Sequence, residues 1–344
     1  MNAPLARREL GASRAPASAA SDTAASPAHA VESSTSAAEI ESDGARLKES
    51  ARLERMSPTV NMPLPSPGAL APPQDGARPA LRAVSRRPAA RARVIALANQ
   101  KGGVAKTTST VNLAAALVER GRRVLVVDMD PQSNLTMSQG HDPERLNPTM
   151  FHVLVERVSI EDVIHHGEFD LAASSIELAG AELALAAMIG RERALEKALL
   201  PVLDAYDDIL IDTPPSLGLI TINALTASDG VIVPVQCEYL ALRGLVQLEG
   251  TLQMIRENLN PRVRIVGILP TMFDSRLVHA REAVDILEEQ FGSLVFRTRI
   301  RKTVRYAEAP VNGQSVLAYD PHGSAAQAYR DLAEEVLSGV EAQG

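Results

Sequence analysis

The chain has 344 residues, of which 35 are Lys or Arg and 42 are Asp or Glu, so its formal net charge is −7. A single cysteine, Cys237, excludes an intramolecular disulfide framework and any zinc or iron–sulfur site built from several cysteines of one chain. No run of about 18 apolar residues is present, and no apolar segment follows Arg7 and Arg8, so we expect neither a membrane span nor a secretory signal. We therefore expect a cytoplasmic protein, in which any nucleic-acid binding comes from a local basic patch.

Residues 1–90 differ in composition from the rest of the chain. They contain 11 of the 22 prolines and none of the five Phe and five Tyr residues, and we expect a mostly disordered tail because so few apolar groups cannot offset the entropy of ordering. The tail carries 11 basic and 9 acidic residues, which leaves 24 and 33, a net charge of −9, for the predicted folded domain over 91–344. Residues 78–93 hold six arginines and no acid, which fits a solvated linker or an auxiliary arm for DNA or another polyanion.

The predicted domain alternates short apolar runs with helical patterns. The apolar runs predict buried strands at 94–98, 124–128, 208–212, 231–235 and 263–269. The helical patterns predict helices at 107–120, 191–206, 217–227, 242–259 and 279–291. This alternation is typical of an α/β fold, in which a mostly parallel twisted sheet has helices on both faces.

The most informative segment lies between the first predicted strand and the first predicted helix. It reads Asn-Gln-Lys-Gly-Gly-Val-Ala-Lys-Thr-Thr over residues 99–108, hereafter the phosphate loop. Small residues let backbone N–H groups close around phosphate oxygens at a helix N-terminus, where the helix dipole also favours an anion. In such a loop Lys106 reaches the β- and γ-phosphates, the Thr107 hydroxyl binds Mg²⁺, and Thr108 can donate to the α-phosphate. The sequence therefore predicts a nucleotide-binding site.

The phosphate loop resembles the deviant phosphate loop of the ParA/MinD superfamily of ATPases, whose pattern is K-G-G-x-x-K-[ST]. Four further segments resemble motifs of that superfamily and of its chromosomal, Soj-like ParA members: VVDMDPQ at 126–132, ILIDTPPS at 209–216, TMFDSR at 271–276 and VRYAEAP at 304–310. The similarity spans roughly residues 93–340. The chain is therefore identified as a member of this family, and the resemblance implies a P-loop NTPase fold.

The resemblance also implies roles for individual residues. Lys101 resembles the signature lysine that crosses a dimer interface to the partner's phosphates, and it is expected to act in catalysis with Lys106 and Asp130. Asp130 matches the carboxylate that positions the attacking water, and Asp212 matches the acid that holds Mg²⁺ through water. The expected cofactors are ATP and Mg²⁺, with Thr107, Asp130 and Asp212 at the metal and the nucleotide held by Lys101, Gly102, Gly103, Val104, Ala105, Lys106, Thr107 and Thr108.

Several positions depart from the family pattern. Ala105 and Ser133 stand where the family usually has glycine, and a positive φ at Ala105 would cost roughly 1–2 kcal/mol. The family's Pro-Arg-Asn segment, which helps to hold adenine, reads Arg301-Lys302-Thr303 here, so Arg301 and Thr303 are the corresponding nucleotide contacts. For Asp128 two interpretations stay open: a partner of the metal or of Lys106, or a helix cap or turn former.

Soj-like proteins bind DNA without sequence preference as ATP-bound dimers, and two arginines of the family match Arg276 and Arg305. Arg297, Arg299 and Arg301 alternate on a predicted strand and would share one face, with Lys302 beside them. The predicted DNA contacts are Arg276, Arg299, Lys302 and Arg305. The other interpretation of these arginines is a solvated charged strand edge that discourages aggregation.

The resemblance implies a slow ATPase that dimerises on binding ATP, associates with the nucleoid and acts in chromosome or plasmid partition, stimulated by a ParB-like protein. Membrane association of the MinD type would need a basic amphipathic C-terminal helix, whereas residues 331–337 are acidic and lack lysine. A nitrogenase-reductase-like protein would need cluster cysteines. Two alternatives stay open: a small-molecule ligase or kinase on the same fold, and a regulatory ParA-like ATPase that does not move DNA cargo.

Overall fold

The computed structural model describes residues 91–238 and 241–341, so the predicted tail lies outside the described residues. Seven strands in this part of the chain form one sheet: β1 (Arg93–Leu97), β2 (Val124–Asp128), β3 (Ile164–His165), β4 (Asp170–Ala172), β5 (Asp208–Asp212), β6 (Gly230–Gln236) and β7 (Arg264–Thr271). Their order is β3-β4-β2-β5-β1-β6-β7, and every neighbouring pair is parallel except β3–β4 at one edge. The predicted α/β class is confirmed.

Helices connect the strands and continue beyond the last one. In chain order they are α1 (Lys106–Glu119), α2 (Asn134–Ser138), α3 (Met150–Val155), α4 (Ala181–Ala186), α5 (Ala194–Leu199), α6 (Leu219–Ala227), α7 (Ala241–Asn258), α8 (Val278–Phe291), α9 (Arg305–Val311), α10 (Val316–Tyr319) and α11 (Ser324–Glu341). Among the described residues, no helix combines the length and the apolar character that crossing a bilayer requires.

Alternate residues of the central strands contribute side chains to two hydrophobic cores on opposite faces of the sheet. On the first face, Val94, Val127 and Ile211 pack with side chains from α3 to α8. On the second face, Ile95 and Leu210 pack with α1 and with the C-terminal helices α9 to α11. Helices therefore cover both faces, which is why the central strands are apolar along their whole length.

The structure corrects two predicted elements. The continuous helix predicted over 191–206 is broken into a 3₁₀ turn (Arg191–Arg193), α5 and a second 3₁₀ turn (Leu200–Val202). Pro201 accounts for the end of α5, because proline has no N–H to donate to the preceding helical turn. Residues 297–301, predicted as a strand, form no strand of the sheet. They lie beside the end of β7, where the Ile300 N–H donates to the Pro270 carbonyl oxygen at 2.9 Å and Arg301 forms an isolated bridge with Phe273.

A side chain of α11 satisfies backbone donors of the segment that runs beside β7. The Glu335 carboxylate accepts hydrogen bonds from the backbone N–H groups of Arg297 and Thr298, each at 2.8 Å, and from the Thr298 hydroxyl at 2.6 Å. The carboxylate therefore occupies two consecutive backbone donors that a regular strand would direct to opposite sides, and these donors are unavailable to another chain.

The topology brings the motif segments together. The carboxyl ends of the central strands β2, β5 and β1 lie side by side, with Asp128 opposite Asp212 and Asp212 opposite Leu97. The segments that follow these strands therefore meet at one edge of the sheet, which is where open parallel sheets bind ligands.

Candidate active site

Side chains fix the phosphate loop to the neighbouring strands. The Asn99 amide donates to the Pro234 carbonyl oxygen at 2.7 Å, and its side-chain oxygen accepts from the Lys101 N–H at 2.9 Å. The Thr271 hydroxyl donates to the Val104 carbonyl oxygen at 3.1 Å. Because β6 and β7 hold the loop from both ends, its backbone shape is set by the sheet before any ligand arrives.

The loop enters α1 through left-handed backbone conformations. Gly103 has φ +73°, and a side chain added there would meet nothing within 4 Å, so the space above the loop is open. Ala105, the residue before α1, has φ 66° and ψ 34°. The positive φ considered for Ala105 is therefore present, and Ser133, the other position where the family has glycine, also adopts it with φ 52°. Each costs roughly 1–2 kcal/mol relative to an ordinary conformation.

Lys106 is buried at the start of α1, with only 7% of its surface exposed. Its ammonium donates to two neutral acceptors, the carbonyl oxygens of Asn99 at 3.2 Å and Lys101 at 3.4 Å. Burial lowers the pKa of Lys106, and the nearby carboxylates of Asp212 and Asp130 partly oppose this. An ammonium has three donors, so one can still point to an anion at the N-terminus of α1.

Thr107 and Asp212 form the oxygen pair expected of a magnesium site. The Thr107 hydroxyl donates to the Asp212 carboxylate at 2.6 Å, and the Thr110 hydroxyl is 3.4 Å from its other oxygen. Burial, and secondly the carboxylate of Asp128, raise the pKa of Asp212 to about 8. The described residues contain no group of three or more His, Cys, Asp or Glu that could hold a metal alone. This donor set fits Mg²⁺, which usually keeps waters and takes further ligands from phosphate.

Asp128 serves the local backbone. One of its carboxylate oxygens accepts from the Asp130 N–H at 3.1 Å, and the other accepts from the N–H of Thr136 at 3.0 Å and its hydroxyl at 2.7 Å. These contacts shape the turn after β2 and satisfy a first-turn N–H of α2, so the capping interpretation describes what Asp128 does here. Its burial raises its pKa to about 6.

Asp130 faces the same cavity as the phosphate loop. Its carboxylate accepts from the Gln132 N–H at 2.9 Å, while its carbonyl oxygen accepts from the Ser174 hydroxyl at 3.0 Å. The cavity has a volume of about 520 Å³, and Asp130 shares its lining with Gly102, Gly103, Ala105, Lys106, Thr107 and Thr108. Val104 is buried behind the loop.

The far end of the cavity is lined by residues that sequence reasoning missed. They are Met272, Tyr306, Pro310 and Gln314. Arg301 and Thr303, predicted as nucleotide contacts, are not among the described residues that line it. Three of the missed residues lie inside the family-like segments at 271–276 and 304–310, so the motifs contained the signal, but the predicted contacts in those segments were to DNA.

Lys101 extends away from the cavity. Its ammonium donates to the Glu238 carboxylate at 2.7 Å and to the Gln236 side-chain oxygen at 2.9 Å, and both lysine and glutamate side chains are 48% exposed. Gln236 in turn donates to the other Glu238 oxygen at 2.6 Å. The ion pair of Lys101 is therefore formed within its own chain, at the end of β6.

The predicted DNA contacts differ in their surroundings. Arg276 is highly exposed and pairs with Asp274 at 2.6 Å, and Arg305 pairs with Glu308 at 2.8 Å and Asp320 at 3.5 Å.

Arg299 pairs with Glu288 and lies over the Phe273 ring, so its guanidinium is packed into the fold. Lys302 is exposed and forms no ion pair with any residue that the structure describes. These two side chains thus offer very different surfaces to a ligand, although the sequence places them three residues apart.

Comparisons with known proteins agree with the site. Residues 92–265 match the family described as "AAA domain". The chain is 46% identical to the chromosome-partitioning ATPase Soj of Thermus thermophilus over 73% of this chain and 98% of that one. It is 44% identical to the sporulation initiation inhibitor protein Soj of Bacillus subtilis over 72% of this chain and 98% of that one. The crystal structure of a Mycobacterium smegmatis protein named cobyrinic acid a,c-diamide synthase, with bound ADP and magnesium, has a TM-score of 0.65 and 40% identity over 74% of this chain and 97% of that one.

Proposed function

The chain belongs to the ParA/Soj family of ATPases, and we propose that it is an ATP-dependent dimerising switch that binds DNA without sequence preference and acts in chromosome or plasmid partition. The observation that carries the proposal is the convergence of Lys106, Thr107 and Asp130 on one cavity at the N-terminus of α1. In the proposed cycle, a ParB-like protein stimulates hydrolysis, and the protein associates with the nucleoid.

ATP and Mg²⁺ fit the residues present. The N–H groups at the start of α1 and the Lys106 ammonium would hold the phosphates, and Thr107 and Asp212 would hold the metal, the latter through water. When bound, the metal neutralises charge on the transferred phosphoryl group. Asp130, at the other wall of the cavity, would orient the attacking water. Met272 and Tyr306 would lie along the nucleotide at the far end.

The proposed dimer requires the Lys101 side chain to move from the position that it has in the single subunit. In the proposed dimer its ammonium leaves Glu238 and reaches the partner's phosphates, so that triphosphate charge becomes part of the interface. ATP then stabilises the dimer by mass action, since the interface is complete only when nucleotide is bound. This requirement explains why turnover would be slow in a single subunit.

The proposed DNA surface consists of Arg276, Lys302 and Arg305. Arg299 was also predicted to contact DNA, but it is left out of this surface because it packs against Glu288 and Phe273. Arg276 and Arg305 already pair with carboxylates of the same chain, so each contact with phosphate would replace an existing ion pair. Two such surfaces in a dimer double the number of phosphate contacts, which raises a weak affinity to a useful one.

The decisive experiment replaces Lys101 with glutamine. We expect nucleotide binding to persist, because Lys106 and the loop backbone remain, while ATP-dependent dimerisation, DNA binding and turnover are lost. Light scattering after size exclusion measures the dimer, and phosphate release measures turnover. Lys302→Gln, which removes the same charge outside the loop, should still dimerise. Dimerisation and turnover that survive in Lys101→Gln would contradict the proposal.

A small-molecule ligase is the competing function, because the M. smegmatis structure is named as a synthase, but the relatives named Soj support the partition role instead. In a ligase, ATP consumption would depend on a small carboxylate or amine substrate and would ignore DNA. For a partition switch, we expect DNA binding with ATP and little with ADP. Equal DNA affinity in both nucleotide states, or none in either, would favour the ligase.

A further inference from the structure

A second cavity lies on the first face of the sheet, between α3, α4 and α5. Its volume is about 390 Å³, and it shares no lining residue with the cavity at the phosphate loop. Most of its lining is apolar and includes Val153, Ile160, Leu185, Met188 and Pro201. We refer to this cavity and its rim as the α3–α5 cleft.

The apolar surface continues beyond the mouth of the cleft. Ile189, which lines the cavity, is 98% exposed, and Leu200, next to the lining residue Pro201, is 60% exposed. A single exposed apolar residue needs no explanation, but here two large exposed apolar side chains accompany an apolar cavity. A patch that extends outside the cavity suits a macromolecular partner better than a small ligand enclosed within it.

The rim of the cleft is cationic. Arg157, Arg191 and Lys197 line it, and no acidic residue is found among its described lining residues. Arg191 is partly neutralised by its neighbour Glu192 at 3.0 Å, whereas Arg157 and Lys197 form no ion pair within residues 91–238 and 241–341. The cationic rim contrasts with the net charge of −9 over residues 91–344.

Arg157 is also held in a backbone conformation that arginine rarely adopts. It follows α3 with φ 62°, the left-handed position that glycine usually occupies after a helix. An arginine there costs roughly 1 kcal/mol relative to glycine. The fold therefore accepts strain at a residue that supplies a guanidinium without an ion-pair partner among the described residues to this rim.

We propose that the α3–α5 cleft docks an acidic amphipathic helix of a partner protein. Apolar side chains on successive turns would fill the cavity and cover Ile189 and Leu200, and carboxylates beside them would meet Arg157 and Lys197. The cavity volume exceeds that of one side chain, so it would accept two neighbouring anchors of such a helix. The inference is independent of the ATP cycle because the cleft lies apart from the phosphate loop.

The test uses a fluorescein-labelled peptide made of repeats of Leu-Glu-Glu-Leu-Leu-Glu-Glu, titrated with the full-length protein at low salt. We expect saturable binding, at least about tenfold weaker for the double variant Arg157→Glu with Lys197→Glu, and weakened by added salt. The matched control Arg145→Glu with Arg281→Glu changes the same charge elsewhere and should bind as wild type. Ile189→Ser, which removes an exposed side chain, should also weaken binding, and unchanged ATPase activity confirms folding.

Several results would overturn the proposal. These are failure of the acidic peptide to bind, equal binding of a peptide with Lys in place of Glu, or equal affinity for the double variant and its control. Nucleotide-independent self-association that Ile189→Ser abolishes would assign the cleft to a second copy of this chain. Binding of anionic phospholipid vesicles that depends on Arg157 and Lys197, without peptide binding, would assign it to a membrane surface.

Discussion

The phosphate loop and the basic segment at 297–305 both carry cations that we propose bind a polyanion, but they hold these cations in different ways. Lys106 is buried and bonded only to neutral carbonyl oxygens. Arg305 is half exposed and already paired with two carboxylates. A buried cation without an ion-pair partner is held in place and has no anion to give up when a ligand binds, whereas an exposed paired cation must exchange one anion for another.

The two regions are therefore suited to two kinds of binding: tight binding of one ligand, and weak binding that depends on the number of contacts. The loop can bind one phosphate chain tightly from a rigid framework, because the sheet sets its geometry. The basic segment gains little from any single exchange of ion pairs and needs many contacts at once. We therefore expect substitutions in the loop to abolish a step, and substitutions in the basic segment to change an affinity that depends on salt.

The largest expected effect follows from Asp130→Ala. Removal of the carboxylate leaves Lys106, Thr107 and Asp212 in place, so we expect ATP binding and dimerisation to persist while turnover falls at least about a hundredfold. The protein should then remain on DNA after ATP addition. Phosphate release and DNA retention measure the two effects, with Asp142→Ala, an exposed carboxylate, as the control. Normal turnover in Asp130→Ala would remove Asp130 from the mechanism.

A smaller effect is expected for Arg305→Glu. Reversal of one charge in each subunit should lower the affinity of the ATP dimer for DNA at least about tenfold, with dimerisation intact. Glu308→Gln tests the same exchange of ion pairs by removing the carboxylate that pairs with Arg305 in the absence of DNA. Because this carboxylate competes with DNA phosphate for Arg305, its removal should strengthen DNA binding about twofold. Fluorescence anisotropy at several salt concentrations measures both variants. Equal loss of dimerisation and DNA binding in Arg305→Glu would show that the two regions are not separable.

An effect close in size to that of Glu308→Gln is expected at Lys101. Like the arginines of the basic segment, this lysine of the phosphate loop is exposed and paired with a carboxylate. Its ion pair with Glu238 has to break before Lys101 can reach a partner's phosphates. Glu238→Gln should therefore lower the ATP concentration for half-maximal dimerisation by about two- to fivefold. Glu119→Gln, which removes a carboxylate paired with Arg330, is the control. A higher ATP requirement in Glu238→Gln would show that Glu238 supports the dimer.

Much of the loop and its surroundings could be predicted from sequence, because the chemistry there is local. A buried strand, two glycines and Lys106-Thr107-Thr108 at the start of a helix specify a phosphate site within ten residues. The pairing of Thr107 with Asp212 follows once β1 and β5 are adjacent. The Glu238 partner of Lys101 could not be predicted, since nothing in a surface charge indicates which neighbour it meets.

The basic segment was predicted less well for a physical reason. Alternating arginines at 297, 299 and 301 give a strand pattern, but a strand also needs a partner for its N–H groups. That partner is the carboxylate of Glu335, which lies on α11 and satisfies the N–H groups of Arg297 and Thr298. Packing of Arg299 against Phe273 likewise depends on a residue distant in sequence. Local alternation contains no information about either contact.

The smallest expected effect concerns the strain in the loop, which the basic segment lacks. Ala105 has φ 66°, and Gly at that position would relieve roughly 1 kcal/mol while costing some entropy in the unfolded chain. We expect Ala105→Gly to raise the free energy of unfolding by about 0.5–1 kcal/mol, measured by denaturant titration without nucleotide. Ser133→Gly, at φ 52°, should act in the same direction.

Ala328→Gly, in the interior of α11, should instead lower the free energy of unfolding by about 1 kcal/mol. If Ala105→Gly behaved like Ala328→Gly, the loop would tolerate its left-handed residue without strain. The rigidity that distinguishes the phosphate loop from the basic segment would then come from the hydrogen bonds of Asn99 and Thr271 alone.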